Sequence, residues 1–283
     1  MPELPEIEAI RKYLISTLSN QIITEVKTFR HTVIRNLSTS DFKDLLYLAT
    51  LKQIERIGKI LRFNFCKSDL ILNLYIDHGL TGRLTWFSFK KLPVKTVFTM
   101  TFREGKTLIY HDSRLHGAIW LFVSKNAKPC GYPIKIDGFG PDILQISKED
   151  FIKRLQRFNG EIKGILTNQK FVSGIGNAYA DEILFEAKIH PFDKRPQLNE
   201  EEKTKIYLAC RKILTNSMNE IYHILCETQK LNNERYWRQC LFRIHLKDKQ
   251  PCSVCGNPIS TIKAKRLTNF CRKCQNPRNR SFF

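Results

Sequence analysis

The stretch from Pro251-Cys252-Ser-Val-Cys255-Gly256 to Cys271-Arg-Lys-Cys274-Gln275 holds two Cys-x2-Cys knuckles, 15 residues apart. Zinc takes four soft ligands in a tetrahedron, and two such knuckles joined by a hairpin supply them. Cys252, Cys255, Cys271 and Cys274 therefore read as one metal site. Four thiolates leave no coordination position open, so the expected zinc is structural, one per chain. Lys263-Ala-Lys265-Arg266 falls between the knuckles. A guanidinium on a metal-pinned hairpin is suited to phosphate or groove contact.

The charge around this site points the same way. The 283 residues carry 47 Lys/Arg against 27 Asp/Glu, a net charge of +20. From Lys230 onward there are 13 Lys/Arg and 2 acids, so more than half of the surplus lies in the last 54 residues. Such an excess favours a polyanionic partner through phosphate neutralisation and counterion release. The other five cysteines, Cys66, Cys130, Cys210, Cys226 and Cys240, are an odd, scattered set. They read as reduced thiols in a reducing compartment. No apolar run is long enough to span a membrane and no signal peptide is recognised, so a cytoplasmic protein is expected.

At the other end the chain opens Met1-Pro2-Glu3-Leu4-Pro5-Glu6. With Met1 trimmed, Pro2 presents a secondary amine beside the carboxylate of Glu3. An α-amino group has a pKa of about 8, so a useful fraction is neutral at pH 7. Such an amine can attack a sugar C1′ and form an iminium. That cation acidifies the C2′ proton and sets up strand cleavage by elimination, with Glu3 as proton donor or shuttle. The competing reading is that Pro2 and Pro5 merely start a helix.

Between the two ends the hydrophobic period changes once. Ile7, Ile10, Leu14 and Leu18 recur at helical spacing after Pro5. Runs rich in β-branched and aromatic residues follow at 22–29, 54–65, 70–76, 96–102, 107–110 and 118–123, with a short helix at 41–48. Arg103-Glu-Gly-Lys106 is a hairpin signal. This portion is expected to be a sandwich of two sheets. A turn-rich linker precedes helices at 148–158, 161–167, 177–186 and 200–221, the first capped by Ser147-x-x-Asp150. The fold class is thus α+β: an N-terminal β-sandwich with flanking helices, a helical domain and a C-terminal zinc-finger β-hairpin. The expected boundaries are 1–130, a linker at 131–145, 146–230 and 231–283. Gly174-x-Gly176-Asn177 sits at a helix start, where backbone N–H groups of Gly174 and Gly176 and the Asn177 amide could hold a phosphate.

Several motifs, in order, carry a resemblance over nearly the whole chain. They are MPELPEIE at the start, RIGKILRF around Lys59, GRL at 82–84, HDSRLHG at 111–117, NQKFVSGIGNAYADEILF at 168–185, and PCSVCG through KRLTNFCRKCQ. The chain resembles the formamidopyrimidine-DNA glycosylase/endonuclease VIII (Fpg/Nei) family. The resemblance implies a helix–two-turn–helix (H2TH) domain and a monomer acting on damaged double-stranded DNA. It implies a bifunctional DNA glycosylase/AP lyase of base excision repair that nicks by β,δ-elimination. The bases removed would be oxidised, either purines of the formamidopyrimidine or 8-oxoguanine type or pyrimidines. By resemblance, Pro2 is the Schiff-base nucleophile and Glu3 the proton donor. Glu6 lies near the sugar, and Lys59 contacts phosphates and assists proton transfer. Asn177 and Arg266 pinch the flanking phosphates, and Lys163 lies near the lesion. Leu80, Arg114 and His116 take the positions that fill the space left by a flipped base.

The chain also departs from the family pattern. His116 weakens the aromatic wedge, and Asn168 stands where the family keeps an aspartate. The glycine- and threonine-rich lesion loop is absent between Ser217 and Phe242, where Asn232-Asn-Glu-Arg-Tyr-Trp237 is found instead. Phe242-Arg-Ile-His-Leu-Lys247 looks closer to endonuclease VIII members. These changes leave the damaged base open. They also motivate an alternative, a catalytically impaired damage- or structure-sensing DNA-binding protein of the same fold.

Overall fold

The computed structural model describes residues 1–86, 91–125, 131–231, 237, 240–263 and 265–276. Over these residues the chain forms two compact units. One comprises residues 1–2, 6–137 and 219–234, the other 3–5, 138–218 and 235–283.

In the first unit, helix α1 (Leu4–Leu18) buries the face marked by Ile7, Ile10, Leu14 and Leu18. Its outer face is tied down by charge. Glu8 pairs with Arg11 at 2.7 Å and with Arg56 at 2.9 Å, and Arg11 donates to the Ile54 carbonyl. Burial alone would raise the pKa of Glu8, but the two guanidinium groups hold it below its ordinary value. Helix α2 (Thr39–Leu46) is capped by Ser38, whose Oγ accepts from the Asp41 N–H.

Two antiparallel four-stranded sheets make most of the rest of this unit. One has the order β1 (Ile23–Thr28), β6 (Thr96–Phe102), β7 (Thr107–Asp112), β5 (Gly82–Trp86). The other has the order β2 (Thr50–Ile57), β3 (Ile60–Lys67), β4 (Leu70–Asp77), β8 (Ala118–Lys125). In β3, Leu61, Phe63 and Phe65 are buried while Arg62 and Asn64 are only partly covered, the period-2 pattern of a half-buried strand. The run expected at 54–65 is not one strand. It breaks at Gly58-Lys59, where Ile57 pairs with Ile60 across a two-residue loop. Gly58 has φ +59, the positive angle such a loop needs at its leading position. Lys59 is thereby carried at a hairpin tip, half-buried.

The second unit is helical with a small hairpin. Helix α3 (Lys148–Leu155) starts at Ser147, which accepts from the Asp150 N–H at 3.0 Å as the capping pattern requires. It ends three residues short of the expected Phe158, which instead packs edge-on against Phe171. Helices α4 (Ile162–Leu166), α5 (Asn177–Ala187) and α6 (Glu200–Thr228) follow, α6 extending seven residues beyond its expected end and belonging to the first unit from residue 219 on. Phe151, Phe171, Val172, Ile183, Ile206 and Leu214 are among the residues of one apolar core. The hairpin pairs β9 (Ser260–Lys263) with β10 (Leu267–Phe270). No helix among the described residues is long and apolar enough to cross a membrane.

Candidate functional site

The glycine-rich turn before α5 does hold an anion, but the anion belongs to the chain. Gly176 N–H donates to Glu3 Oε2 at 2.8 Å, Ala178 N–H to Oε1 at 3.0 Å, and Tyr179 N–H to Oε2 at 3.3 Å. A carboxylate thus occupies the first turn of α5, where N–H groups lack helical acceptors and the helix dipole favours negative charge. Leu4 N–H donates to the Gly174 carbonyl at 3.1 Å and extends the same junction. Gly174 adopts φ +107, and a Cβ there would run into the Leu4 side chain. A Cβ on Gly176 would lie within 2.6 Å of Glu3 Oε2 and closer still to its carboxyl carbon. The Gly174 N–H is also used, donating to Gln169 Oε1 at 3.0 Å. The expectation that Gly174 and Gly176 bind phosphate is therefore corrected. Their N–H groups serve Gln169 and Glu3, and the turn is built to receive the N-terminal carboxylate.

Asn168 keeps part of what an aspartate would do there. Its Oδ1 accepts from the Lys170 N–H at 3.0 Å, an Asx-type turn that needs an oxygen but no charge.

Asn177 and Arg266 are brought to neighbouring positions. Asn177 Nδ2 donates to the Leu267 carbonyl at 2.8 Å, and Leu267 follows the exposed Arg266 on the hairpin. Lys163 reaches the same carbonyl at 2.7 Å, Thr268 Oγ1 at 2.9 Å and Asp181 Oδ1 at 2.7 Å. Burial lowers the pKa of Lys163, and the Asp181 charge opposes that shift. Two of the neighbours of Lys163 accept hydrogen bonds, the Leu267 carbonyl and the Thr268 hydroxyl, and the third, Asp181, pairs with it by charge. These contacts tie α4 to α5 and β10, and Lys163 also lines the adjoining cleft together with Arg266. That cleft, of about 730 Å³, is lined by Lys194, Lys265, Arg266, Phe158 and Phe192 among others, a cationic surface suited to a polyanion.

The four knuckle cysteines converge. The Cys255–Cys271 sulfurs are 3.4 Å apart, the Cys252–Cys274 sulfurs 3.9 Å, and all four lie within 4.8 Å of one another. A tetrahedron with Zn–S near 2.3 Å has edges of roughly 3.8 Å, so the donor set fits one structural zinc. Cys252 and Cys271 also pack with Phe185, Ile244 and Ile259, which joins the metal site to α5. Cys66, Cys210, Cys226 and Cys240 are free thiols.

In the first unit, Glu6 is buried in the first turn of α1 and Pro2 is buried. Leu80, Arg114 and His116 are exposed on two adjoining loops organised by Asp112. That fully buried carboxylate accepts from the Thr81 hydroxyl, from Arg114 N–H at 3.2 Å and from Gly117 N–H at 2.7 Å. Burial would raise its pKa, yet these donors hold it below the ordinary 3.8. Asp112→Ala is expected to cost about 2–3 kcal/mol at neutral pH, since hydrogen bonds to a charged group are the strong ones. A depressed folded pKa means that this contribution is fully present above 3.8 and is lost as pH falls through the lower folded value. Urea unfolding of both proteins from pH 7 to pH 3 checks this. An equal gap at both ends would count against a charged Asp112.

Sequence reasoning assigned no role to Asp112, Asp181, Glu182, His245 or Asn269. The last four form a buried polar network between α5 and the hairpin region. One signal was available: Asp181-Glu182 interrupts the apolar run of α5, and acids buried in such a run need built-in partners. Cys130, Ala264 of the Lys-Ala-Lys-Arg stretch and residues 232–236 of the altered lesion loop lie outside the described residues.

Three family models match the chain. They are the formamidopyrimidine-DNA glycosylase N-terminal domain over residues 1–119, the H2TH domain of the same glycosylase over 138–225, and the zinc finger found in FPG and IleRS over 249–277. A formamidopyrimidine-DNA glycosylase of Mycoplasma mobile is 31% identical over 97% of this chain and 99% of its own length. One of Ligilactobacillus salivarius is 33% identical over 97% and 99%. Among solved structures, the Lactococcus lactis Fpg in complex with DNA containing an abasic site aligns with a TM-score of 0.82 at 26% identity. That alignment covers 98% of this chain and all of the other.

Proposed function

The chain belongs to the formamidopyrimidine-DNA glycosylase family, and from that premise we propose how its own residues carry out the reaction. It is a DNA glycosylase of base excision repair with AP lyase activity and one structural zinc, acting as a monomer on damaged double-stranded DNA. Removal of Met1 exposes the Pro2 amine. The amine attacks C1′, the glycosidic bond breaks, and the leaving base takes a proton delivered through Glu3. The amine sheds its proton, the C1′–O4′ bond opens with a proton to O4′, and the iminium so formed loses a C2′ proton to expel the 3′ phosphate and then a C4′ proton to expel the 5′ phosphate, which is β,δ-elimination.

The observation that carries this reading is the seat of Glu3. Three backbone N–H groups of α5 fix the carboxylate next in sequence to the nucleophile. A positioned carboxylate beside an N-terminal amine can relay the proton that the excision step moves. Lys59, at its hairpin tip, and Glu6, at the start of α1, complete the proposed sugar-side machinery. Asn177 and Arg266 take the flanking phosphates, and Leu80, Arg114 and His116 fill the vacated duplex space. We divide the chain into a catalytic domain at 1–130, a linker at 131–145, an H2TH domain at 146–230 and a zinc-finger domain at 231–283, and place the protein in the cytoplasm.

Borohydride trapping on a duplex with one abasic site tests the chemistry. The processed wild type should form a covalent complex whose cross-linked peptide begins at Pro2. Pro2→Gly should lose most trapping while keeping DNA affinity. No adduct from processed, DNA-binding wild-type protein would instead favour a sensor that kept the fold and lost turnover.

A further inference from the structure

The side chain of Asp181, fully covered, sits where three segments meet. Its Oδ1 faces Lys163 Nζ at 2.7 Å. Its Oδ2 accepts from Asn269 N–H at 3.2 Å and Nδ2 at 2.9 Å, and lies 2.8 Å from His245 Nδ1. Lys163 then passes the connection to the Leu267 carbonyl, which also receives Asn177 Nδ2. One carbonyl, adjacent to Arg266, is thus held by Asn177 from α5 and by an ammonium that Asp181 secures.

We propose that Asp181 and Lys163 are positioning residues that set the spacing of Asn177 and Arg266 for two DNA phosphates, without touching DNA themselves. The inference rests on the phosphate roles proposed above. Anchoring the hairpin does not by itself require this pair. The base of the hairpin is held by the four cysteines, and Glu182 separately binds the N–H groups of Arg243, Ile244 and His245. The Asp181–Lys163 connection reaches β10 beside Arg266, at the carbonyl that Asn177 also holds. A buried ion pair is also a poor stability device, since apolar residues of similar volume often do as well or better. What a charged pair adds is a directed tie at a stated atom, here the Leu267 oxygen.

The test uses the full-length, zinc-loaded protein and a duplex with a tetrahydrofuran abasic-site analogue, its Kd measured across salt. The key variant is Lys163→Met/Asp181→Leu, which removes both charges and leaves neither buried alone. It should keep its zinc and a single cooperative melting transition, lowered because Asn269 and His245 lose their buried acceptor. Its Kd should weaken about tenfold, within the range of coupling between residues of one network. Its log Kd–log salt slope should shrink by about 0.9, the loss of one phosphate contact. Adding Arg266→Ala to it should change the slope little further. If the double variant keeps the wild-type slope and Kd while Arg266→Ala alone lowers the slope, the pair is only structural and the proposal is overturned. If Arg266→Ala alone leaves the slope unchanged, the phosphate reading of Arg266 fails and takes this proposal with it. Should the double variant lose zinc, Asp181→Glu carries the same measurement with the same outcomes, because it keeps the charge and displaces it by one methylene.

Discussion

Gly176→Ala is expected to slow base excision about a hundredfold, the penalty that an ångström of misplacement can carry at a reacting centre. Zinc content should not change, and DNA affinity should fall far less than excision, since the next residue, Asn177, is the proposed phosphate ligand. The backbone does not forbid the substitution, for Gly176 sits at φ −121, an angle open to any residue. What forbids it is Glu3, whose carboxylate occupies the place a Cβ would take. The methyl group must push the carboxylate out of its seat among three N–H groups or push the turn away from α5. Either movement displaces the proposed proton donor. Single-turnover excision from a duplex carrying a formamidopyrimidine measures the effect. Glu3→Gln is the partner variant, since it points an NH2 group toward N–H donors and loses the same seat. If both variants act through Glu3, the double variant should be little worse than either single one. Normal excision by Gly176→Ala would separate Glu3 from the chemistry.

This junction also shows what the sequence can and cannot convey. Gly174-Ile-Gly-Asn177 read as a phosphate-holding turn at a helix start, because glycine spacing and the helix terminus are local features. The occupant was misread, because Glu3 lies 173 residues away from Gly176 and no local pattern names it. The face of α1 was legible, since Ile7, Ile10, Leu14 and Leu18 repeat at a helix period and all four are buried. The hairpin at Gly58-Lys59 was hidden because apolar residues continue on both sides of a two-residue loop. Lys163 was assigned to the lesion by resemblance. Its three partners belong to α5 and β10, and only the folded chain brings them together. The zinc site needed no such knowledge, for its ligand spacing is itself the signal.

Loss of that zinc is the second large expected effect. Cys271→Ser should release the metal and weaken DNA binding at least a hundredfold near physiological salt, with a shallower salt dependence, as expected when several phosphate contacts vanish together. The strands β9 and β10 are four residues each, and an isolated two-stranded hairpin is marginal in water. Apparent zinc-binding energies of about 10–16 kcal/mol in small modules make the metal the main reason such a hairpin folds. Lys263, Lys265 and Arg266 ride on that hairpin, so they lose their common placement when it opens. The helical core should survive, because its apolar residues lie on α3 to α6, the turns joining them and the segment before α3, with Leu4 and Phe242, and none comes from the hairpin. Helical circular dichroism should therefore persist while the zinc signal and the salt-dependent affinity disappear together. Metal analysis, far-ultraviolet dichroism and anisotropy titrations at several salt concentrations, on one preparation, decide the matter. A zinc-free protein with the wild-type affinity and slope would show that the basic hairpin takes no part in holding DNA. Collapse of the helical signal would show instead that the metal holds the whole second unit. The contacts of Cys252 and Cys271 with Phe185 on α5 make that the alternative to measure against.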